Sequence, residues 1–166
     1  MTDSMIQQVL PEIVDRLEQI VSRQQIPGLA IGIVHDQQLV WSQGFGAADL
    51  ETGRSPDKNT ISRVASITKT FTATAVLQLR DDGLLSLDDP LVKHIPEFSQ
   101  VRVRAGTLQG VTLRRLLSHR SGLVTESPFP CWETLEFPTR EAMLAALPET
   151  ELVIPQDSAF KYSNLA

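Results

Sequence analysis

The strongest helical pattern of the chain opens with the stretch Arg63-Val-Ala-Ser-Ile-Thr-Lys-Thr-Phe-Thr-Ala73. Apolar residues recur at helical spacing from Ser66 to Asp82, and Gly83 follows where a glycine commonly ends a helix. Ser66 and Lys69 are three residues apart, so both side chains project from one face of this helix. The stretch therefore predicts a hydroxyl and an amine held side by side at the start of a helix.

This pair is the arrangement that nucleophilic catalysis needs. A serine hydroxyl is a poor nucleophile at neutral pH, and a lysine accepts its proton only where burial or positive charge lowers the lysine pKa from about 10.4. We expect the helix N-terminus to oppose an ammonium there, and apolar neighbours to desolvate the amine. Those neighbours are Val64, Ala65, Ile67 and Phe71. The simpler interpretation is that Ser66 only caps the helix and Lys69 is a solvated residue of its first turn.

The Ser-x-x-Lys tetrad occurs twice more in the chain. Ser55 precedes Lys58 in a loop rich in glycine and proline, and Ser158 precedes Lys161 in an irregular stretch after Pro155. Neither segment has a helical pattern, so neither pair is predicted to hold its serine and lysine in fixed relation.

A second candidate group stands near residue 166, in Tyr162-Ser163-Asn164. A phenol can relay a proton, and an amide can both donate to and accept from a substrate. Taken alone, this motif is equally compatible with a tyrosine that fills the edge of a core.

The remaining pattern predicts an α+β protein. Residues 11–24 predict an amphipathic, core-facing helix with Pro11 in its first turn. Residues 29–34 and 39–42 predict two antiparallel strands joined by a short turn, and residues 44–57 a bent third strand and a loop.

Short helices separated by loops are predicted for most of the later chain. They cover residues 91–95, 112–118 and 139–147, with Thr112 and Thr139 as N-caps. Seven of the ten prolines lie at or after Pro90, which favours many short elements over a second sheet. We therefore expect a lobe at residues 1–65, with a helix and an antiparallel sheet, and a mostly helical lobe at residues 66–166 that begins with the Ser66 helix.

Composition and charge exclude several classes of protein. Lys plus Arg number 15 against 20 for Asp plus Glu, and the net charge of -5 disfavours nucleic acid as a partner. A single cysteine, Cys131, excludes a disulfide scaffold, and we expect no metal because the histidines lie far from any cluster of ligands. No uninterrupted apolar run opens the chain, so we expect neither a secretory signal nor a membrane span, and a cytoplasmic protein.

Cys131 and His119 form a weaker candidate, as a thiol and imidazole pair. Cys131 lies in a predicted loop with nothing to orient it, so a small buried residue is the favoured interpretation. His119 is predicted to hold a turn through Ser121 and Gly122.

Six motifs follow one another in a recognisable order. They are Ile26-Pro-Gly-Leu-Ala-Ile-Gly-Ile-Val34, Gly44-Phe-Gly46, the stretch from Arg63 to Ala73, Leu79-Arg-Asp-Asp-Gly-Leu-Leu-Ser-Leu-Asp-Asp-Pro90, Leu116-Leu-Ser-His-Arg-Ser-Gly-Leu123 and Phe160-Lys-Tyr-Ser-Asn164. Together they resemble the serine β-lactamase and penicillin-binding-protein superfamily, in particular its class C β-lactamase-like branch of esterases and D-aminopeptidases. The resemblance covers nearly the whole chain and implies a two-lobed fold with the nucleophile between the lobes.

The resemblance also implies roles for four residues. Ser66 is the acylated nucleophile, Lys69 its proton acceptor, and Tyr162 passes a proton to the leaving group or activates the deacylating water. Asn164 is a substrate-binding amide. The expected reaction is hydrolysis of a small ester or amide, such as a β-lactam, an ester or a D-amino-acid peptide, through an acyl-enzyme and without a cofactor. The alternative is a catalytically incompetent fragment or degenerate member that acts as a binding or regulatory module.

The chain departs from the family pattern after Asn164. No Lys-Thr-Gly or His-x-Gly tripeptide follows, so we expect the later strands and the closing helix to be missing. We expect this chain alone to be unstable or to associate, with itself or with a complementary C-terminal segment, and to turn over weakly or not at all. Smaller departures are Ser62, where an aromatic residue is usual, and Gln156, where a glycine is common.

Overall fold

The computed structural model describes residues 3–166 and contains both helices and strands, which confirms the predicted α+β class. The chain divides after Val64 into two compact units. No helix among the described residues combines the length and the apolar character that crossing a membrane requires.

The first unit begins with helix α1, Asp3–Arg23. The prediction that Pro11 occupies its first turn is wrong, because the apolar stripe continues upstream to Ile6 and Leu10, which are 2% and 8% exposed. Burying two such side chains stabilises by roughly 3–6 kcal/mol. That gain matches or exceeds the cost of about 3 kcal/mol for a proline inside a helix.

Two antiparallel strands follow, as predicted: β1, Gly28–His35, and β2, Gln38–Gly46. Asp36 and Gln37 form the turn between them with φ values of 46° and 64°. Two consecutive left-handed residues are typical of the type I′ turn, whose twist matches that of the flanking strands.

The predicted third strand does not form, because residues 44–46 continue β2. Gly44 and Gly46 pair there with Ala30 and Gly28 of β1. A Cβ on Gly44 would collide with the carbonyl group of Pro56. Glycine at this position therefore lets the loop at Pro56 pass directly against the strand.

The second unit opens with a 3-10 turn, Ala65–Ile67, and helix α2, Thr68–Asp81. The predicted helix start at Ser66 is thus two residues early. The prediction that Gly83 ends the helix is confirmed. Gly83 has a φ of 73° and donates its N–H to the Arg80 carbonyl, while Leu84 donates its N–H to the Leu79 carbonyl. These two bonds are the pair that closes a helix in a Schellman motif.

Short helices dominate the rest of the second unit, as expected. They are α3 Leu91–His94, α4 Leu113–Leu117, α5 Cys131–Thr134 and α6 Arg140–Ala145, with 3-10 turns at Pro96–Gln100, Leu108–Gly110 and Leu147–Glu149. Thr112 and Thr139 are confirmed as N-caps, since their side-chain oxygens accept N–H bonds from Arg115 and Ala142 at 3.3 and 3.2 Å.

A second, very small sheet was not predicted. Strand β3, Arg102–Val103, pairs in parallel with β4, Glu151–Leu152. Two-residue strands are too short to leave an alternating pattern in the sequence. Leu152 belongs to the apolar core of this unit, which consists of Phe98, Val101, Val111, Leu116, Leu123, Leu147 and Leu152.

Gln156 occupies a slot between two glycines. Its Oε1 atom lies 2.6 and 2.7 Å from where a Cβ would stand on Gly106 and Gly110. The side chain accepts the N–H of Thr107 and donates to the carbonyl oxygens of Thr107 and Ser121. An amide thus closes a gap that only glycine leaves open on the facing loop.

Candidate active site

Ser66 projects from the 3-10 turn that precedes α2. The preceding residue, Ala65, has a left-handed φ of 44°, a conformation that costs a non-glycine residue about 1–2 kcal/mol. The N-cap of α2 is Ile67 and has no side-chain cap. The interpretation of Ser66 as a helix cap is therefore wrong, and its hydroxyl is available for other partners.

The four predicted site residues are linked through that hydroxyl and the Lys69 amine. Lys69 Nζ donates to Ser66 Oγ at 3.2 Å and to Asn164 Oδ1 at 2.8 Å. The Tyr162 hydroxyl donates to Ser66 Oγ at 2.5 Å, and Lys69 Nζ lies 4.8 Å from the centre of the Tyr162 ring. Residues almost a hundred positions apart thus form one hydrogen-bonded cluster, while the role of each stays a prediction.

The segment 161–164 is held by its backbone against residues 119–125. The Lys161 N–H donates to the His119 carbonyl, and the Asn164 N–H to the Thr125 carbonyl, at 2.8 and 2.7 Å. Ser163, between them, is fully buried and donates its hydroxyl to the Val124 carbonyl at 2.7 Å. This docking places Tyr162 and Asn164 beside the start of α2.

Glu126 is a site residue that no sequence motif singled out. Its Oε1 atom accepts the Asn164 side-chain N–H at 2.7 Å, and its Oε2 atom accepts the Trp132 indole N–H at 2.9 Å. An acceptor on the Nδ2 side of Asn164 fixes the amide so that Oδ1 faces Lys69. The only sequence signal for Glu126 is indirect. The side-chain amide of Asn164 has N–H donors as well as an oxygen, so it needs an acceptor in addition to the Lys69 donor.

His119, for which support of a turn was the favoured interpretation, contacts the site. Its ring lies 4.3 Å from the Tyr162 ring at an angle of 33°, and its Nδ1 atom accepts the Ser163 N–H at 3.2 Å. Burial, and then the charge on Lys69, lowers the pKa of His119 from its ordinary value. Both effects favour the neutral form of the imidazole.

Lys69 also acts on Tyr162. The Lys69 amine, followed by the Ser66 hydroxyl, lowers the pKa of the Tyr162 phenol from its ordinary value near 10. Of the residues expected to form an apolar shell, Val64, Ile67 and Phe71 are 47%, 60% and 68% exposed, so these three are not buried as that expectation requires. Lys69 instead makes polar contacts with the Ser66 hydroxyl and the Asn164 amide.

The Beta-lactamase family model matches residues 13–166 of the chain. The chain belongs to the beta-lactamase family. It is 34% identical over 169 residues to "Beta-lactamase-like protein 2" of Dictyostelium discoideum, covering 98% of this chain and 30% of that protein. It is 35% identical over 106 residues to "Esterase EstB" of Burkholderia gladioli, covering 64% of this chain and 27% of that protein.

A solved structure gives the same family. The octameric penicillin-binding protein homologue from Pyrococcus abyssi superposes with a TM-score of 0.76 at 27% identity, covering 94% of this chain and 36% of that one. The predicted resemblance and fold are thus confirmed. This beta-lactamase-family chain spans about a third of the length of the relatives it matches.

A cavity of about 340 Å³ adjoins the cluster in this beta-lactamase-family chain. Lys69, Thr72, His119 and Asn164 supply its polar wall, and Leu116 and Leu117 part of its apolar wall. Within the described residues, no three His, Cys, Asp or Glu side chains are grouped so as to hold a metal ion.

The other sequence candidates lie outside the cluster. Ser158 donates to the Pro155 carbonyl and Lys161 Nζ to Thr125 Oγ1, so this tetrad does not pair its serine and lysine. Cys131 is 7% exposed, which confirms the buried interpretation, but it starts α5 and does not lie in a loop.

Proposed function

We propose that the protein is a serine hydrolase that cleaves a small ester or amide through an acyl-enzyme on Ser66. The observation that carries the proposal is the double contact of Ser66 Oγ with Lys69 Nζ and the Tyr162 hydroxyl. A nucleophile and a base within hydrogen-bond reach, with a third group orienting the base, are what such catalysis requires. Asn164 is that orienting group, since it accepts from Lys69.

The proton leaving Ser66 passes to Lys69 and Tyr162 acting as a coupled pair. As Ser66 Oγ bonds to the substrate carbonyl carbon, the pair takes the hydroxyl proton. When the scissile bond breaks, the Tyr162 oxygen returns that proton to the leaving oxygen or nitrogen. Water then gives a proton to the pair as its oxygen adds to the acyl carbon, and the bond from that carbon to Ser66 Oγ breaks while Oγ takes the proton back from the pair. The lowered pKa of Tyr162 favours both its uptake and its release of a proton.

The family supports a class of substrate. Named relatives include an esterase, and solved relatives a penicillin-binding protein homologue. We therefore propose a β-lactam, a small ester or a D-amino-acid peptide as substrate.

An alternative function is a binding or regulatory module without turnover. Its support is the apolar surface beside Ser66, where Ile67 and Phe71 are largely exposed. Such side chains favour a polypeptide partner, either a second copy or a complementary segment.

Intact mass after incubation with a fluorophosphonate and, separately, with a penicillin tests the proposal. We expect one adduct per chain that is lost in Ser66→Ala and kept in Ser55→Ala, which alters the serine of another Ser-x-x-Lys tetrad. An adduct that persists in Ser66→Ala refutes Ser66 as the nucleophile, and the absence of any adduct in the wild type with both reagents favours the alternative.

A further inference from the structure

We propose that His119 is a positioning residue, which aligns the Tyr162 phenol with Ser66 through its backbone carbonyl, the face of its ring and an Nδ1 hydrogen bond that only the neutral ring can accept. The inference rests on the proposed function, since it assigns a task within the same site. Three contacts carry it, and each involves a different part of the histidine.

The backbone of His119 gives the first contact, and its ring gives the other two. The carbonyl accepts the N–H of Lys161, and Nδ1 accepts the N–H of Ser163. These are the residues on either side of Tyr162. The face of the imidazole packs 4.3 Å from the Tyr162 ring itself. His119 thus holds the tyrosine from both flanks and along its ring.

This support adds to the contacts that the Tyr162 side chain makes with Ser66 and Lys69. The side chain is 36% exposed, and its hydroxyl has to stay 2.5 Å from Ser66 Oγ. A displacement of about 1 Å in a reacting group can cost about a hundredfold in rate. A ring packed along the phenol restricts such a displacement.

The hydrogen-bond pattern requires one tautomer of His119. A backbone N–H can only donate, so Nδ1 carries a lone pair and the ring proton sits on Nε2. Protonation would place a second N–H on Nδ1, directed at the Ser163 N–H, and would break that bond. It would also add a positive charge near Lys69, the charge on α2 that already lowers the pKa of His119. Tyr162 is the titratable group that faces the ring from the 161–164 segment.

Two variants separate the contacts. In His119→Asn, the Oδ1 atom replaces Nδ1 as acceptor for Ser163, while the ring contact is lost and nothing titrates. In His119→Phe, the ring contact is kept and the acceptor is lost. His35→Asn, a histidine of the first unit, serves as the control.

The first readout is the rate of Ser66 labelling by a fluorophosphonate from pH 4.5 to 8. In the wild type we expect the labelling rate to decrease as the pH is lowered below the pKa of His119, by up to about tenfold per pH unit. In His119→Asn we expect this acid limb to disappear and the rate at pH 8 to be about 10- to 100-fold lower. We expect the control His35→Asn to keep the decrease of the labelling rate at acid pH. If His119→Asn keeps it unchanged as well, the proposal is refuted.

The second readout does not depend on labelling. Tyr162 is the only tyrosine of the chain, so absorbance of the phenolate reports its ionisation directly. We expect its pKa to rise in His119→Asn, because a freed phenol leaves Lys69 and Ser66, and to rise less in His119→Phe. An unchanged titration in both variants overturns the positioning role. If the wild type is not labelled but the Tyr162 pKa rises in the His119 variants, the hydrolase function is refuted and the positioning role of His119 is supported.

Discussion

Replacing Lys69 by methionine removes the group that joins both halves of the cluster. The Lys69 amine bonds Ser66 Oγ and Asn164 Oδ1, and methionine keeps the length of the side chain without the hydrogen-bonding nitrogen. We expect Ser66 labelling to slow sharply, the pKa of Tyr162 to rise toward 10, and the pKa of His119 to rise toward 6.5.

The size of the rate loss follows from the two bonds. A positioned acid or base contributes about 10²- to 10⁴-fold to rate. Lys69 both contacts the nucleophile and is locked by Asn164, so the expected loss is in the upper part of that range, about 10³- to 10⁴-fold. This corresponds to about 4–5 kcal/mol of transition-state stabilisation.

The assay is a time course of fluorophosphonate labelling by intact mass, paired with an absorbance titration of the single tyrosine. Lys58→Met is the matched control, because it removes the lysine of another Ser-x-x-Lys tetrad in the first unit. A Lys69→Met chain that labels within about fivefold of wild type, with Tyr162 ionising as before, would show that the cluster does not activate Ser66.

Two further predictions concern stability and acid. Gly44→Ala forces the backbone at Pro56 to move and should lower the free energy of unfolding by about 1–3 kcal/mol. At Gly53 an added Cβ meets nothing within 4 Å but φ is 67°, so Gly53→Ala should lower the free energy of unfolding by only about 1 kcal/mol of backbone strain. A lower urea midpoint for Gly53→Ala than for Gly44→Ala would contradict this. Bonds from Lys93 and then Ser86 lower the pKa of Asp89 to about 2. Its stabilising contribution is therefore complete above about pH 4 and is lost as pH falls toward 2, so wild type and Asp89→Asn should converge in acid unfolding scans.

The features predicted correctly are those with a local cause. Gly83 ends α2 and Thr112 and Thr139 cap α4 and α6 because a glycine or a hydroxyl satisfies backbone groups a few residues away. The Ser66 and Lys69 contact has the same origin, since three residues of helical backbone bring the side chains together.

The features that the sequence did not reveal depend on distant packing. Pro11 lies within α1 because Ile6 and Leu10 are buried. The predicted third strand is absent because residues 44–46 continue β2, and no local pattern indicates the approach of the loop at Pro56 to Gly44.

In the site, the division is similar. Only the family resemblance placed Tyr162 and Asn164 with Ser66, because backbone docking across some forty residues brings them there. His119 and Glu126 make their contacts through that same docking, and no spacing in the sequence indicates either of them.

The slot around Gln156 makes three positions mutationally interdependent. With glutamine at 156, a methyl group at Gly106 or Gly110 collides with its amide. Should glycine replace Gln156, that collision would vanish, together with the bonds to Thr107 and Ser121. Substitutions at 106 and 110 would then cost less stability than they do beside Gln156, although position 106 keeps the strain of its φ of 79°, so epistasis in a mutational scan should link these three sites although they lie up to fifty residues apart.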